Sequence, residues 1–68
     1  MMKLSPEVNF SDRARIDALM DYVRELFKEP VARDGTDIYM CGPGAPDVPT
    51  VATIMTNMAN GELVVVLR

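Results

Sequence analysis

The sequence predicts a single small α+β domain, in which an N-terminal amphipathic helix is followed by a strand, a second helix and a strand. Three features indicate this order. Apolar residues recur at helical spacing within 12–28, glycine and proline interrupt the chain at 42–46, and a continuous apolar run fills 63–67. A length of 68 residues allows one domain, 1–68. Residues 1–10 are expected to form an extended or flexible N-terminal segment.

The first helix is the clearest element and is predicted over 12–28. Ser11 is expected to be its N-cap, and Asp12 follows in the first turn, where a carboxylate suits the helix dipole. Pro30 disfavours helical geometry at the residue before it, so the helix should end near Lys28. One apolar face is formed by Ile16, Leu19, Met20, Val23 and Phe27, with Leu26 alongside.

A turn at 33–35 is predicted to lead into a strand over 36–41. Residues 42–46 contain two glycines and two prolines, which resist strand pairing and indicate a loop. A final strand is predicted over 62–67. It is apolar on both faces, which is typical of a central or covered strand.

Residues 50–60 admit two interpretations. Val51, Ile54, Met55 and Met58 lie at helical spacing, and Gly61 suits the position just past a helix end, which together favour a helix. A right-handed βαβ unit would follow if the flanking strands are parallel. The alternative is one helix packed on a three-stranded antiparallel sheet, because Asn60-Gly61 is a hairpin signal and Val, Ile and Thr suit strands.

A sheet of two strands is seldom stable alone, so the favoured interpretation also predicts that a homodimer, or a partner at the sheet edge, completes it. The second predicted helix supports this expectation because no charged residue occurs in 48–61. Interfaces are depleted in charge at their centre. Its polar side includes three candidate partner-binding residues, Thr53, Thr56 and Asn57.

Composition argues against several functional classes. The chain has no histidine and one cysteine, so the commonest general base, the commonest zinc ligand and any internal disulfide are missing from the sequence. We therefore expect no enzymatic activity, cofactor or metal. A net charge of −3 disfavours nucleic acid and anionic membranes. With no apolar segment typical of a signal peptide or membrane span, a cytoplasmic location is expected.

Cys41 and the loop after it suggest a different function, a compact domain that handles a ligand or sulfur. A thiolate at this position would be stabilised by the N-terminus of the second predicted helix. However, small sulfur-carrier domains have Cys-Pro-x-Pro, and this chain has Cys41-Gly42-Pro43-Gly44. The loop also lacks the Gly-Lys step and the third glycine of phosphate-binding loops. A small half-buried thiol beside a rigid connecting loop is the simpler interpretation.

Three carboxylates on the first helix form the other candidate site. Asp17, Asp21 and Glu25 are spaced four residues apart and lie on one exposed ridge. The ridge either serves solubility or binds a protein with a basic surface. The sequence thus predicts a small acidic binding protein, such as an inhibitor, adaptor or antitoxin-like factor. In size and charge it is similar to small phage-borne inhibitors, including anti-CRISPR proteins.

Overall fold

The computed structural model describes residues 3–68, in which one helix packs against one face of an antiparallel sheet of five strands. Residues 1 and 2 of the predicted extended or flexible segment 1–10 lie outside this range. The rest of that segment contains the first strand. The elements in chain order are β1 (Leu4–Ser5), α1 (Arg13–Phe27), β2 (Val31–Asp34), β3 (Asp37–Met40), β4 (Thr50–Asn57) and β5 (Leu63–Leu67).

Strand β4 lies at the centre of the sheet. One of its edges pairs with β5 over its whole length, from Ala52 opposite Leu67 to Thr56 opposite Leu63. Its other edge pairs with β3 near the start of β4 and with β1 near its end. Strand β2 pairs with the far side of β3. Among residues 3–68 the edge strands are therefore the two-residue β1 and the longer β2 and β5. The prediction that 62–67 forms a central or covered strand is wrong, because β5 pairs with β4 alone and Val66 and Leu67 remain exposed.

The core lies between α1 and the sheet. Ile16 and Val23 of the helix meet buried side chains of β3 and β4, among which Ile38 and Ile54 have no exposed surface. Leu63 and Val65 of β5 are half-buried and pack against the same cluster. Burying such aliphatic side chains contributes about 1.5–3 kcal/mol each, which makes this layer the main source of stability.

Helix α1 agrees with the prediction over 12–28 to within one residue at each end. Its N-cap is Asp12 and not Ser11, because the Asp12 side chain accepts a hydrogen bond from the Arg15 amide at 3.4 Å. Ser11 instead donates its hydroxyl to Asn9 Oδ1 at 2.6 Å. Lys28 ends the helix with a φ of 56°, and its amide bonds to the Arg24 carbonyl at 2.8 Å.

The favoured prediction of a helix over 50–60 is wrong, and so is the parallel βαβ unit built on it. Residues 50–57 form β4, and its neighbours are antiparallel. The register with β3 shifts between Ile38 and Tyr39, so Val51 and Ala52 both point into the core. The chain then turns at residues 58–61. Because of the bulge near the start of β4 and the turn after its end, apolar residues in this segment recur at the spacing that is typical of a helix.

The alternative of one helix on an antiparallel sheet is closer, although it has too few strands. Residues 31–34, which the sequence did not mark as a strand, form β2, and the turn predicted at 33–35 is shifted to Gly35-Thr36. Gly35 has a φ of 60°, the sign that a type II′ turn requires at its first central residue. With five strands in one chain, the premise that a second copy must complete the sheet is incorrect.

Candidate interaction surfaces

The three predicted carboxylates lie together on the exposed side of α1. Asp17, Asp21 and Glu25 are all exposed and follow one another at successive turns of the helix. Asp21 forms an ion pair with Arg24, with 3.1 Å between Oδ1 and the guanidinium. Asp17 and Glu25 have no ion pair or hydrogen-bonded side-chain partner among residues 3–68. The ridge therefore presents two carboxylates whose charge no neighbouring cation offsets by direct contact.

Two large apolar side chains flank this acidic ridge. Tyr22 is 56% exposed and Leu26 is 45% exposed, one turn apart on the same helix. The sequence placed Leu26 beside the apolar face but did not single out Tyr22. Aromatic side chains are enriched in protein interfaces and often dominate their binding energy. Charge and apolar surface thus lie next to each other on α1.

The second predicted group, Thr53, Thr56 and Asn57, does not form one surface because β4 is a strand. The Thr53 hydroxyl donates to Asp37 Oδ1 at 3.2 Å, on the side of the sheet away from the helix. The Thr56 hydroxyl donates to the Glu7 carbonyl at 2.6 Å and ties down the N-terminal segment. Asn57 Oδ1 accepts from the Ala59 amide at 2.9 Å in the turn. All three side chains bond within the chain.

The face of the sheet away from α1 is a surface that the sequence reasoning missed. Val66 lies opposite Thr53 and Val64 opposite Met55, so these four side chains share that face, and each retains exposed surface. The alternation of side chains between the two faces of a strand over 62–67 could have predicted this surface. It was not used because the preceding segment was interpreted as a helix.

Cys41 directly follows β3 and is exposed, which corrects the expectation of a half-buried thiol. Its amide donates to the Pro30 carbonyl at 3.0 Å. The loop after it leads into β4, so the helix N-terminus expected to stabilise a thiolate is not there. Beneath the loop lies a carboxylate, because a Cβ on Gly42 would stand 2.6 Å from Glu29 Oε2. A phosphate would be repelled at this position.

An open cleft of about 440 Å³ lies where the N-terminal segment, the start of α1 and the β4–β5 turn meet. Its polar lining includes the carboxylates of Glu7 and Asp12 and the side chain of Asn9. Across residues 3–68, no group of three histidine, cysteine, aspartate or glutamate side chains is arranged to hold a metal ion.

Within the described range, α1 is too short and too polar to cross a membrane, and no other helix is present there. Comparisons of the chain with protein-family models, with curated proteins and with solved structures found no match. The functional argument therefore depends on the surfaces described above.

Proposed function

We propose that the chain is a small acidic binding protein that docks the exposed side of α1 onto a basic surface of a larger protein. The observation that supports this most directly is the row formed by Asp17, Asp21 and Glu25 beside the exposed Tyr22 and Leu26. Its role would be that of an inhibitor, adaptor or antitoxin-like factor without catalysis of its own, acting in the cytoplasm. A single cysteine suits that reducing compartment.

Electrostatics favours a cationic partner for this ridge. Like charges four residues apart on a helix cost about 0.2–0.5 kcal/mol per pair, so the spacing of the three carboxylates brings no gain to the isolated helix. A lysine or arginine from a partner would turn this repulsion into attraction. Because Asp17 and Glu25 have no cation in contact within residues 3–68, two such charges could be accommodated without breaking an ion pair in that range.

The apolar neighbours give the same surface a second contribution. Long-range charge raises the association rate and selects the partner, whereas buried aromatic and aliphatic side chains slow dissociation. Tyr22 and Leu26 together provide such an anchor at the border of the ridge. A basic surface with an apolar pocket at its edge is the partner that this arrangement fits.

The test begins with the immobilised protein in a lysate of its own source cells, with the captured proteins identified by mass spectrometry. The variant Asp17→Lys/Asp21→Lys reverses two charges on the ridge. The control Asp34→Lys/Asp47→Lys makes the same change in net charge at two exposed residues outside α1. We expect the wild type and the control to capture a basic protein that the ridge variant fails to capture.

Association rates measured with the purified partner then distinguish electrostatic attraction by the ridge from an effect of net charge alone. For the ridge variant, the rate should fall about tenfold at low salt and approach the wild-type rate at high salt, because exposed charges are screened. Tyr22→Ala should mainly raise the dissociation rate. Equal capture by the ridge variant and the control, or equal association rates at low salt, would refute the proposal.

A further inference from the structure

The outer edge of β5 carries backbone groups that pair with no other strand in residues 3–68. The Asn57 amide bonds to the Glu62 carbonyl at 2.8 Å, and the Arg68 amide bonds to the Val51 carbonyl at 2.9 Å. Even-numbered residues therefore face β4. Because the ladder of an antiparallel pair alternates, the amides and carbonyls of Leu63, Val65 and Leu67 point outward. Such a row is a template for another strand.

This edge lacks the features that keep edge strands from pairing. It has no proline, no charged residue and no interruption in its register with β4 over the five residues of Leu63–Leu67. Val66 is 36% exposed and Leu67 is 49% exposed, so apolar surface accompanies the free backbone groups. An uncharged apolar partner strand is the chemistry that fits.

The strand is complementary to itself. If two copies of residues 62–68 are placed antiparallel about Val65, Leu63 faces Leu67 and Val64 faces Val66. In this register each outward-facing residue meets an outward-facing residue of the second copy, so the free amides and carbonyls satisfy one another. At the two ends, Glu62 faces Arg68 of the second copy.

The charged ends make this register specific. The Glu62 and Arg68 side chains are 57% and 56% exposed, and their ion pairs within the chain, to Arg15 and Asp37, are long at 3.9 Å each. Both are therefore available to a second copy. Opposite charges directly across an antiparallel pair are stabilising, whereas like charges are destabilising. Shifting the strands by two residues would place Glu62 opposite a valine.

We propose that the outer edge of β5 binds a second copy of this chain, antiparallel about Val65, to form a two-fold symmetric dimer with one continuous sheet. Such isologous contacts are the commonest form of self-association. The two-fold axis is perpendicular to the sheet, so both α1 helices lie on the same side. If the acidic ridge binds a partner as proposed above, the dimer presents two ridges to it.

A contact one strand long is small, so the dimer should form in the micromolar range and dissociate on dilution. Sedimentation velocity from low to hundreds of micromolar measures this directly. Hydrogen exchange gives a residue-specific readout. The amides of Leu63, Val65 and Leu67 should gain protection at high concentration, while those of Val64 and Val66, which face β4, should be protected throughout.

Charge reversal tests the register. Glu62→Arg and Arg68→Glu each place like charges opposite one another twice, and each should weaken the dimer about tenfold. The first changes the net charge from −3 to −1 and the second changes it to −5, so general repulsion between copies cannot weaken both. The double variant Glu62→Arg/Arg68→Glu, and an equimolar mixture of the two single variants, should both restore dimerisation. Asp34→Arg is the matched control and should dimerise as the wild type does.

The proposal is refuted if the wild type is monomeric at hundreds of micromolar, or if its dimer is indifferent to both single reversals. It is also refuted if an extended peptide from another protein protects the outer amides of β5 where a second copy does not. None of these outcomes bears on the acidic ridge, whose variants leave β5 unchanged. Failure of the ridge proposal would likewise leave the dimer measurements intact.

Discussion

The two longer edge strands of the sheet, β2 and β5, are similar in length and opposite in chemistry. Strand β2 ends in Arg33 and Asp34 and begins directly after Pro30. Strand β5 contains only leucine and valine, and its charged residues lie just beyond its ends. Charge and proline are the usual means of protecting a sheet edge, so β2 is protected and β5 is not.

The two edges of this sheet therefore differ in whether another strand can add to them. The Arg33 guanidinium donates to the Gly35 carbonyl at 2.7 Å and lies 5.2 Å from the centre of the Phe10 ring, so the protected edge is tied to its own hairpin and to the N-terminal segment. The other edge leaves its backbone groups available. Substitutions in the core, the turns, the helix and the loop after β3 measure how far the two edges are independent of each other and of the helix.

The largest effect is expected from Ile54→Ala in β4, the strand that joins both halves of the sheet. Ile54 has no exposed surface, so removing its side chain should lower the free energy of unfolding by about 2–5 kcal/mol. Urea denaturation at a concentration where the chain is monomeric measures this loss. Hydrogen-exchange protection should fall together in the β2–β3 hairpin and the β4–β5 hairpin. A loss below 1 kcal/mol, with protection lowered in one hairpin alone, would show that the halves are independent.

A smaller and local effect is expected from the turns that support the two edges. Gly61 has a φ of 73° and Gly35 a φ of 60°, so alanine at either residue should cost about 1 kcal/mol. Gly61→Ala should lower exchange protection mainly in β5, and Gly35→Ala mainly in β2. Gly61→Asn is the control, because asparagine tolerates this conformation better. Equal losses of exchange protection in β2 and β5 for either variant would show that the two edges are not independent.

Asp21→Lys should leave both edges and the overall stability nearly unchanged. It removes the ion pair with Arg24 but also relieves two like-charge contacts with Asp17 and Glu25. We expect a change within about 0.5 kcal/mol in thermal or urea unfolding. Val23→Ala, at a fully buried residue of the same helix, is the control and should cost several times more. A loss above 1 kcal/mol for Asp21→Lys would mean that the ridge has a structural role.

The smallest effect is expected from Cys41→Ser. The thiol is exposed and the residue contributes its backbone amide, which the substitution retains. Stability should change by a few tenths of a kcal/mol, and partner binding by less than about threefold. Binding measured with and without alkylation of the wild type supplies the check. A folded variant that loses all binding would move the functional site to the loop after β3.

The helix α1 and the strands β3 and β5 were predictable because each depends on local pattern and flanking residues. Ile16, Val23 and Phe27 repeat at helical spacing, Pro30 limits the helix, and the apolar run before Arg68 is too short for anything but a strand in this context. The exposure of Asp17, Asp21 and Glu25 followed from the same periodicity. Local spacing was sufficient for the type of these elements, but it did not give the place of β5, which is an edge strand and not the predicted central or covered one.

The state of residues 50–57 was decided only by the tertiary structure. Central strands are stabilised by hydrogen bonds to distant segments, and β4 acquires those bonds from β1, β3 and β5 at once. The bulge at Val51 depends on the register with β3, which no local pattern records. The open edge of β5 was likewise decided by tertiary pairing, because β4 pairs with one edge of β5 and no other strand of residues 3–68 pairs with the other. Pairing between residues far apart in sequence determined which surfaces of this protein are exposed.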